Sequence, residues 1–263
     1  MRDVTVGPLL RGWRLRRRRS QLDLALDVGV STRHLSWVET GRSRPSAELV
    51  LALAEGLDVP LREANTLLLA AGHAPRYPAR PLDADELGPA RDALRRMLDA
   101  HDPYPGVAID RAWNIVLANR AAAALTAGVP EDLLPNVYRL CLHPDGLARR
   151  TLNLPEWAGH LLHQLGRAVA LTADPVLTAL EAEVRGYPGV EEALATRPSP
   201  LEPVPLLVPL RLRLDDGRAL SLFTTLTTFG TPRDVTLDEL AVELFYPADD
   251  ESAATLRTPA GPR

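Results

Sequence analysis

The sequence has no lysine and only one cysteine, Cys141, in 263 residues. A lone cysteine excludes an intrachain disulfide and any multi-cysteine zinc or iron–sulfur site, and it suits a reducing compartment. No apolar run approaches the ~18–20 residues that cross a bilayer, so no membrane partner is expected. The opening stretch MRDVTVGPLLRGW lacks a signal-peptide core, so the expected location is cytoplasmic. There is no glycine-rich phosphate loop, since Gly186–Gly189 only punctuates a turn, and no His-Glu-x-x-His motif or internal repeat. What is present is an ordinary globular composition, 46% hydrophobic and 24% charged, with room for one large domain or two small ones.

The net charge of −4 hides an asymmetry. Residues 1–80 carry 13 arginines against 8 acids, whereas residues 81–263 carry 17 arginines against 26 acids. A basic segment joined to an acidic one suits a chain whose first part meets a polyanion. The stretch GHAPRYPARP (72–81), with three prolines, cannot continue a helix and marks a boundary. The expected organisation is therefore a helical domain over 1–72, a linker over 73–82, a second domain over 83–250 and a flexible tail over 251–263. A second proline-rich stretch, Thr196–Pro205, reads as a surface loop.

Residues 1–72 predict five short helices. Leu9, Leu10, Trp13 and Leu15 supply the apolar face of the first, and Leu22, Leu24, Ala25 and Val28 that of the second. Ser20, Ser31 and Ser46 are N-caps, Gly29 and Gly41 are helix stops, and Pro60 is a first-turn residue. Helix, tight turn at Gly29, then helix is an arrangement whose second helix can enter the major groove. With Leu35 and Val38 inward, Thr32, Arg33, Ser36 and Trp37 are left outward as candidates for base contact. Arg33 can make a bidentate pair to guanine. Gln21, Thr40, Arg42 and Arg44 are candidates for phosphate contact. In the run Arg16–Arg19, at most two side chains can face DNA.

Ser20-Gln21, Ala25, Gly29-Val30-Ser31, Leu35-Ser36, Val38-Glu39, Gly41, Arg44 and Pro45 resemble the XRE-type, or phage-repressor-like, helix-turn-helix domain over about residues 5–72. The resemblance implies a double-stranded DNA operator as partner, bases read by positions 32, 33 and 37, and a backbone brace at Gln21. Trp37 stands where a polar residue is usual. One reading helix covers too few base pairs for specificity, so a homodimer is expected.

Beyond the linker, Leu87, Ala90, Leu94, Met97 and Leu98 predict a connecting helix over 83–100. Gly106–Asn119 predicts two strands about a turn at Asp110-Arg111, with Asn119 capping a helix in the alanine run. Helical segments continue to about Val184. VPLLVPLRLRL and GRALSLFTTLTTF predict a hairpin about Asp215-Asp216-Gly217. ELAVELFYPAD fits a last strand, or a helix. The expected fold is an all-α N-terminal helix-turn-helix bundle plus an α/β (α+β) sensor-like sheet with helices on one face. The strings PYPGVAIDRAWNIVLAN, NVYRLCLHPDGLA, NLPEWAGHLL, YPGV and FGTPRDVTLDELAVELFYPADD resemble the PAS-like ligand-binding domain of the MmyB family of transcription regulators. That resemblance implies a small hydrophobic ligand, for instance a fatty acid.

A carboxylate on an apolar tail needs a cationic or amide donor at one end of a tunnel. Asn136, Arg139 and His143, spaced i, i+3, i+7, can share one helical face and serve this role; equally, Arg139 can pair with an acid while His143 caps the helix. Trp113 and Asn114 are secondary ligand-binding candidates. A zinc site of His143, His160 and His163, or a thiol hydrolase built on Cys141, is the enzymatic alternative. Cys141 between Leu140 and Leu142 reads more simply as a small buried hydrophobe. The expectation is therefore a regulator with no catalytic residue, metal or cofactor, and the rival from another class is a protein-interaction scaffold.

Overall fold

The computed structural model describes residues 5–195 and 206–257. The predicted loop at Thr196–Pro205 lies outside them. The chain opens with α1 (Val6–Arg16), α2 (Gln21–Asp27), α3 (Thr32–Glu39), α4 (Ala47–Gly56) and α5 (Leu61–Ala70). It continues through α6 (Gly88–His101), β1 (Gly106–Ile109), β2 (Ile115–Ala118), α7 (Arg120–Leu125), α8 (Val137–Leu142), α9 (Leu154–Thr172), α10 (Pro175–Arg185) and α11 (Val190–Ala195). The last elements are β3 (Leu210–Arg213), β4 (Ala219–Thr228), α12 (Val235–Asp238), β5 (Ala241–Pro247) and α13 (Asp250–Arg257).

Two compact units emerge. The first comprises Met1–Ala84 and Phe229–Asp238; the second comprises Asp85–Thr228 and Glu239–Arg263. The proline-rich stretch thus belongs to the first unit, which also takes a segment from between β4 and β5.

In the first unit, Leu10, Trp13, Leu24, Leu35, Val38, Val50, Leu53 and Leu67 form one core. The serine caps form as their chemistry dictates: Ser20 Oγ accepts from Asp23 N at 3.0 Å, Ser31 Oγ from His34 N at 3.1 Å and Ser46 Oγ from Leu49 N at 3.3 Å. Gly29 (φ 71°) and Gly41 (φ 74°) take the left-handed conformation that ends α2 and α3. Leu15 and Leu22, expected inward, are exposed. Leu24 and Ala25 fill the inner stripe of α2, and Leu22 falls outside that arc.

Pro60 is the N-cap of α5, not its first helical residue, and its ring offers no acceptor to the helix. The acceptor comes from 177 residues downstream, where Asp238 Oδ2 takes the Leu61 N–H at 2.9 Å. The same segment is held at Arg80 Nη1–Asp234 Oδ2 (2.9 Å), Thr236 Oγ1–Arg80 O (2.5 Å) and Val235 N–Pro78 O (2.8 Å). Asp238→Ala is expected to lower the stability of the first unit by ~1 kcal/mol, the usual worth of an N-cap, measured by thermal unfolding.

The second unit is an antiparallel sheet of order β2-β1-β5-β4-β3. The last segment, open to either reading, is a strand. Register places Val107, Ile109, Leu210, Leu212, Leu220, Leu222, Ala241, Glu243 and Phe245 on one face. This face packs with Trp157, Leu161 and Leu165 of α9, Leu177 and Leu180 of α10, and Tyr138, Leu140 and Leu142 of α8. Helices are not confined to that face. A Cβ on Gly106 would meet Leu98 of α6 and Leu244 at 3.1 Å, and α13 packs on β4 and β5. The all-α bundle followed by an α+β PAS-like domain is the fold expected from sequence.

Two further expectations are corrected. Met97 is exposed while Leu87, Leu94 and Leu98 are buried, because the inner stripe of α6 is only one residue wide at each turn. The tail does not begin at 251: Asp249 Oδ1 accepts from Ser252 N at 2.7 Å and starts α13, whose buried Ser252 Oγ accepts from Ser221 N at 2.9 Å.

Candidate DNA-reading face and ligand cavity

On α3, Leu35 and Val38 point into the core while Arg33, Trp37 and the following Thr40 and Arg42 are exposed. Thr32 and Ser36 are half-buried. The Arg33 guanidinium lies over the Trp37 ring, 4.6 Å from its centroid. This fixes a planar donor beside an aromatic plate, at a cost in side-chain entropy already met before any ligand arrives. The Thr40 hydroxyl donates to Ser36 O at 2.7 Å.

Two of the phosphate candidates are held within the bundle. Gln21 Nε2 donates to Glu39 Oε2 at 2.8 Å. Arg44 donates to Ala71 O at 2.8 Å and Gly72 O at 3.1 Å, on carbonyls left over at the end of α5. Three of the four arginines in the run Arg16–Arg19 are similarly engaged: Arg16 lies over Trp13, Arg17 donates to Leu57 O and Asp58 O, and Arg19 pairs with Asp27.

Beneath this face sits an ion pair that sequence reasoning missed. Arg14 Nε and Nη2 donate to Glu39 Oε1 and Oε2 at 2.6 and 2.8 Å, with side chains 9% and 2% exposed. Burial pushes the Glu39 carboxyl up, but the bonds from Arg14 and Gln21 outweigh it and hold the carboxyl below its ordinary value. Gly7 lets α1 come close: a Cβ there would be 2.6 Å from the carbonyl oxygens of Val38 and Glu39. The signal available was Glu39 itself, an acid next to a core valine at the end of an apolar-periodic helix.

Two concavities of the second unit bear on a ligand. One is a groove of about 490 Å³ lined by Asn114, Asn136, Arg139, Leu180 and Glu183 among others. It brings together three ligand candidates, with their polar groups engaged. Asn136 Oδ1 accepts from Tyr138 N and Arg139 N, and its Nδ2 donates to Ala112 O and Asn114 Oδ1. The Arg139 fork closes on both Glu183 oxygens at 2.8 Å, and Glu183 is pulled down to about 2, first by that bond. The shared helical face is not there, because α8 is only six residues long, with Asn136 as its N-cap and His143 as its C-cap, both extended. His143 instead meets Tyr187 edge-on at 4.9 Å. Trp113 is buried in the core, edge-on to Tyr138 at 5.1 Å.

The other is an apolar cavity of about 230 Å³ between the sheet and α7–α8, lined by Val107, Ile115, Leu125, Leu147 and Phe245 among others, with Glu243 as its one carboxyl among the described residues. The chain matches the MmyB-like transcription regulator ligand binding domain over residues 90–258. The chain belongs to the MmyB-like transcription regulators.

Ahead of the MmyB-like domain, residues 6–67 match a helix-turn-helix domain. No curated protein sequence matches the chain. Among solved structures, the chain is similar to an RNA-binding light-oxygen-voltage receptor, at 14% identity and a TM-score of 0.26; the match covers 94% of this chain and spans 60% of that one. The domains are those of a DNA-binding transcription regulator. Within the MmyB-like domain, Cys141 is buried and its thiol is pushed up to about 12, by burial and then by the charge of Glu243. At neutral pH that leaves almost no thiolate to act as a nucleophile. Among the described residues no group of three or more His, Cys, Asp or Glu is placed to hold a metal, and no helix is long and apolar enough to cross a membrane.

Proposed function

We propose that this MmyB-like chain is an XRE-type regulator that binds a double-stranded operator as a cytoplasmic homodimer and answers to a small apolar ligand. The observation that carries the DNA half is the division of α3: Leu35 and Val38 hold it in the core while Arg33 and Trp37 stand exposed as one stacked unit. Thr32, Arg33, Ser36 and Trp37 are assigned to bases. Gln21, Thr40, Arg42 and Arg44 are assigned to phosphates, with Gln21 and Arg44 held in place by their internal bonds. Two copies of α3 set ~34 Å apart would read two half-sites. Arg33→Ala is expected to weaken operator binding by ~1–3 kcal/mol and to relax sequence choice, while binding overall falls steeply with salt. Mobility shifts on a selected operator measure both; an unchanged shift pattern would favour the protein-interaction scaffold.

The ligand half rests on the apolar cavity. A fatty acid, the class implied by resemblance, also needs a cation, and Arg139 in the candidate set with Asn136, His143, Trp113 and Asn114 is already paired with Glu183. Such a ligand would have to displace that carboxylate. The route to DNA is covalent: strand β5, which supplies Glu243 and Phe245 to the cavity, follows directly after the segment whose Asp238 caps α5. A ligand that favours one setting of β5 shifts the population able to bind the operator. Native mass spectrometry before and after organic extraction reports the oligomer and any co-purified apolar molecule together.

A further inference from the structure

Strand β5 alternates, and Ala241, Glu243 and Phe245 share the face that packs under the helices. Register sets Glu243 opposite Val107 of β1 on one side and Leu226 of β4 on the other. A carboxyl therefore stands in an apolar row, 6% exposed. The Thr224 hydroxyl is its one hydrogen-bond partner among the described residues, and Oε2 has none. Tyr138 Oη, nearby on α8, is likewise buried without a partner.

Buried polar atoms are nearly always satisfied, and leaving one unmet costs ~1–3 kcal/mol. The unmet oxygen belongs to a side chain that lines the 230 Å³ cavity, so what fills the cavity can supply the missing donor. Among the described residues, no arginine or histidine lines the cavity. Above the pH at which Glu243 ionises, a ligand carboxylate would set a second anion beside it in apolar surroundings, with no cation among the described lining residues to offset it. The size is also restrictive, since most small-molecule pockets run to ~300–1,000 Å³. We propose that this cavity selects a small apolar molecule bearing a hydrogen-bond donor, an amine or an alcohol, whose donor is read by Glu243 Oε2 against walls such as Val107, Leu125 and Phe245. The inference rests on the reading of the second unit as the sensory half. Burial pushes the carboxyl up to about 7, against the Thr224 hydrogen bond, as an unpaired acid in such a site requires.

The test uses the full chain and three probes with one tail: hexylamine, hexan-1-ol and hexanoate, titrated by calorimetry at a pH about one unit above the carboxyl's value. The amine and the alcohol are expected to bind at least ~10-fold more tightly than hexanoate, the scale of one hydrogen bond to a charged group. Glu243→Gln keeps the shape and removes the charge, so it should bring the three within a few-fold of one another. Hexanoate binding as tightly as the amine and the alcohol, a ranking unchanged in E243Q, or binding of none of the three, with water then filling the cavity, would overturn the proposal. Should E243Q fail to fold, the wild-type ranking decides alone. Operator affinity measured with each probe separates the two readings. Tight amine binding with no change at the operator removes the switch and leaves the head-group preference; an operator response to hexanoate alone does the reverse.

Discussion

Glu39→Ala is expected to destabilise the first unit by ~3–5 kcal/mol, the cost of stranding one member of a buried ion pair. The substitution removes both Arg14 bonds and the Gln21 bond and leaves a guanidinium whose side chain is 9% exposed with no anion. Set against the ~5–15 kcal/mol that holds a typical domain together, this should leave much of the bundle unfolded near physiological temperature. Urea unfolding measures it, and operator binding should fall in parallel because α3 is the element released. The double variant Arg14→Met/Glu39→Met should recover most of the loss, since an apolar pair strands no charge. The pair also sets an acid limit. A carboxyl held low in the fold contributes stability that is complete above its unfolded value, ~4.3, and drains away as pH falls through the folded value. Melting temperature should therefore drop below about pH 4 in the parent and much less in the Met/Met variant. A Glu39→Ala cost under ~1 kcal/mol would show that water reaches Arg14 and that the pair is not structural.

Asn119→Ala is expected to cost on the order of 4 kcal/mol in the second unit. Its amide is 3% exposed and closes four bonds. Oδ1 accepts from Gly106 N and Ala122 N, both at 3.0 Å, while Nδ2 donates to Leu98 O at 3.1 Å and Tyr104 O at 2.8 Å. One side chain thus ties the end of α6, the start of β1 and the first turn of α7, and alanine supplies neither donor nor acceptor. Asn119→Asp isolates the two halves of the role: it retains both acceptances but sets an anion against two carbonyls, so it too should destabilise, and less so in acid. Chemical denaturation followed by circular dichroism reads both variants. A loss no larger than that of a solvent-facing cap, ~1 kcal/mol, would mean the two carbonyls find water instead.

The features that sequence made visible are those whose physics is local. A serine three residues before a backbone N–H in need of an acceptor, a glycine where the chain must turn left-handed, and alternation in the strands each act over a few positions. Ser20, Ser31, Ser46, Asn119 and Gly29 accordingly do what their neighbourhoods predict. Asn136, Arg139 and His143 misled because i, i+3, i+7 implies a shared face only where the helix runs the whole distance, and α8 stops at Leu142. Leu15 and Leu22 misled because an apolar residue is no proof of an inner position on a short helix. Glu39, Glu243 and Asp238 were hard to read for one reason: each draws its meaning from a partner or an apolar wall distant in sequence. For Glu243 a signal did exist, an acid at the centre of the Ala241-x-Glu243-x-Phe245 alternation.

The route of the chain constrains how this protein can be taken apart. A fragment stopping at the proline-rich stretch would be missing a stitch: α5 would start without its acceptor, and Arg80 would lose Asp234. Grafting this helix-turn-helix unit onto another ligand-binding domain by simple end-to-end fusion would leave the same seam open. A working chimera has to carry residues 229–238 along, inserted between two strands of whatever sheet replaces this one.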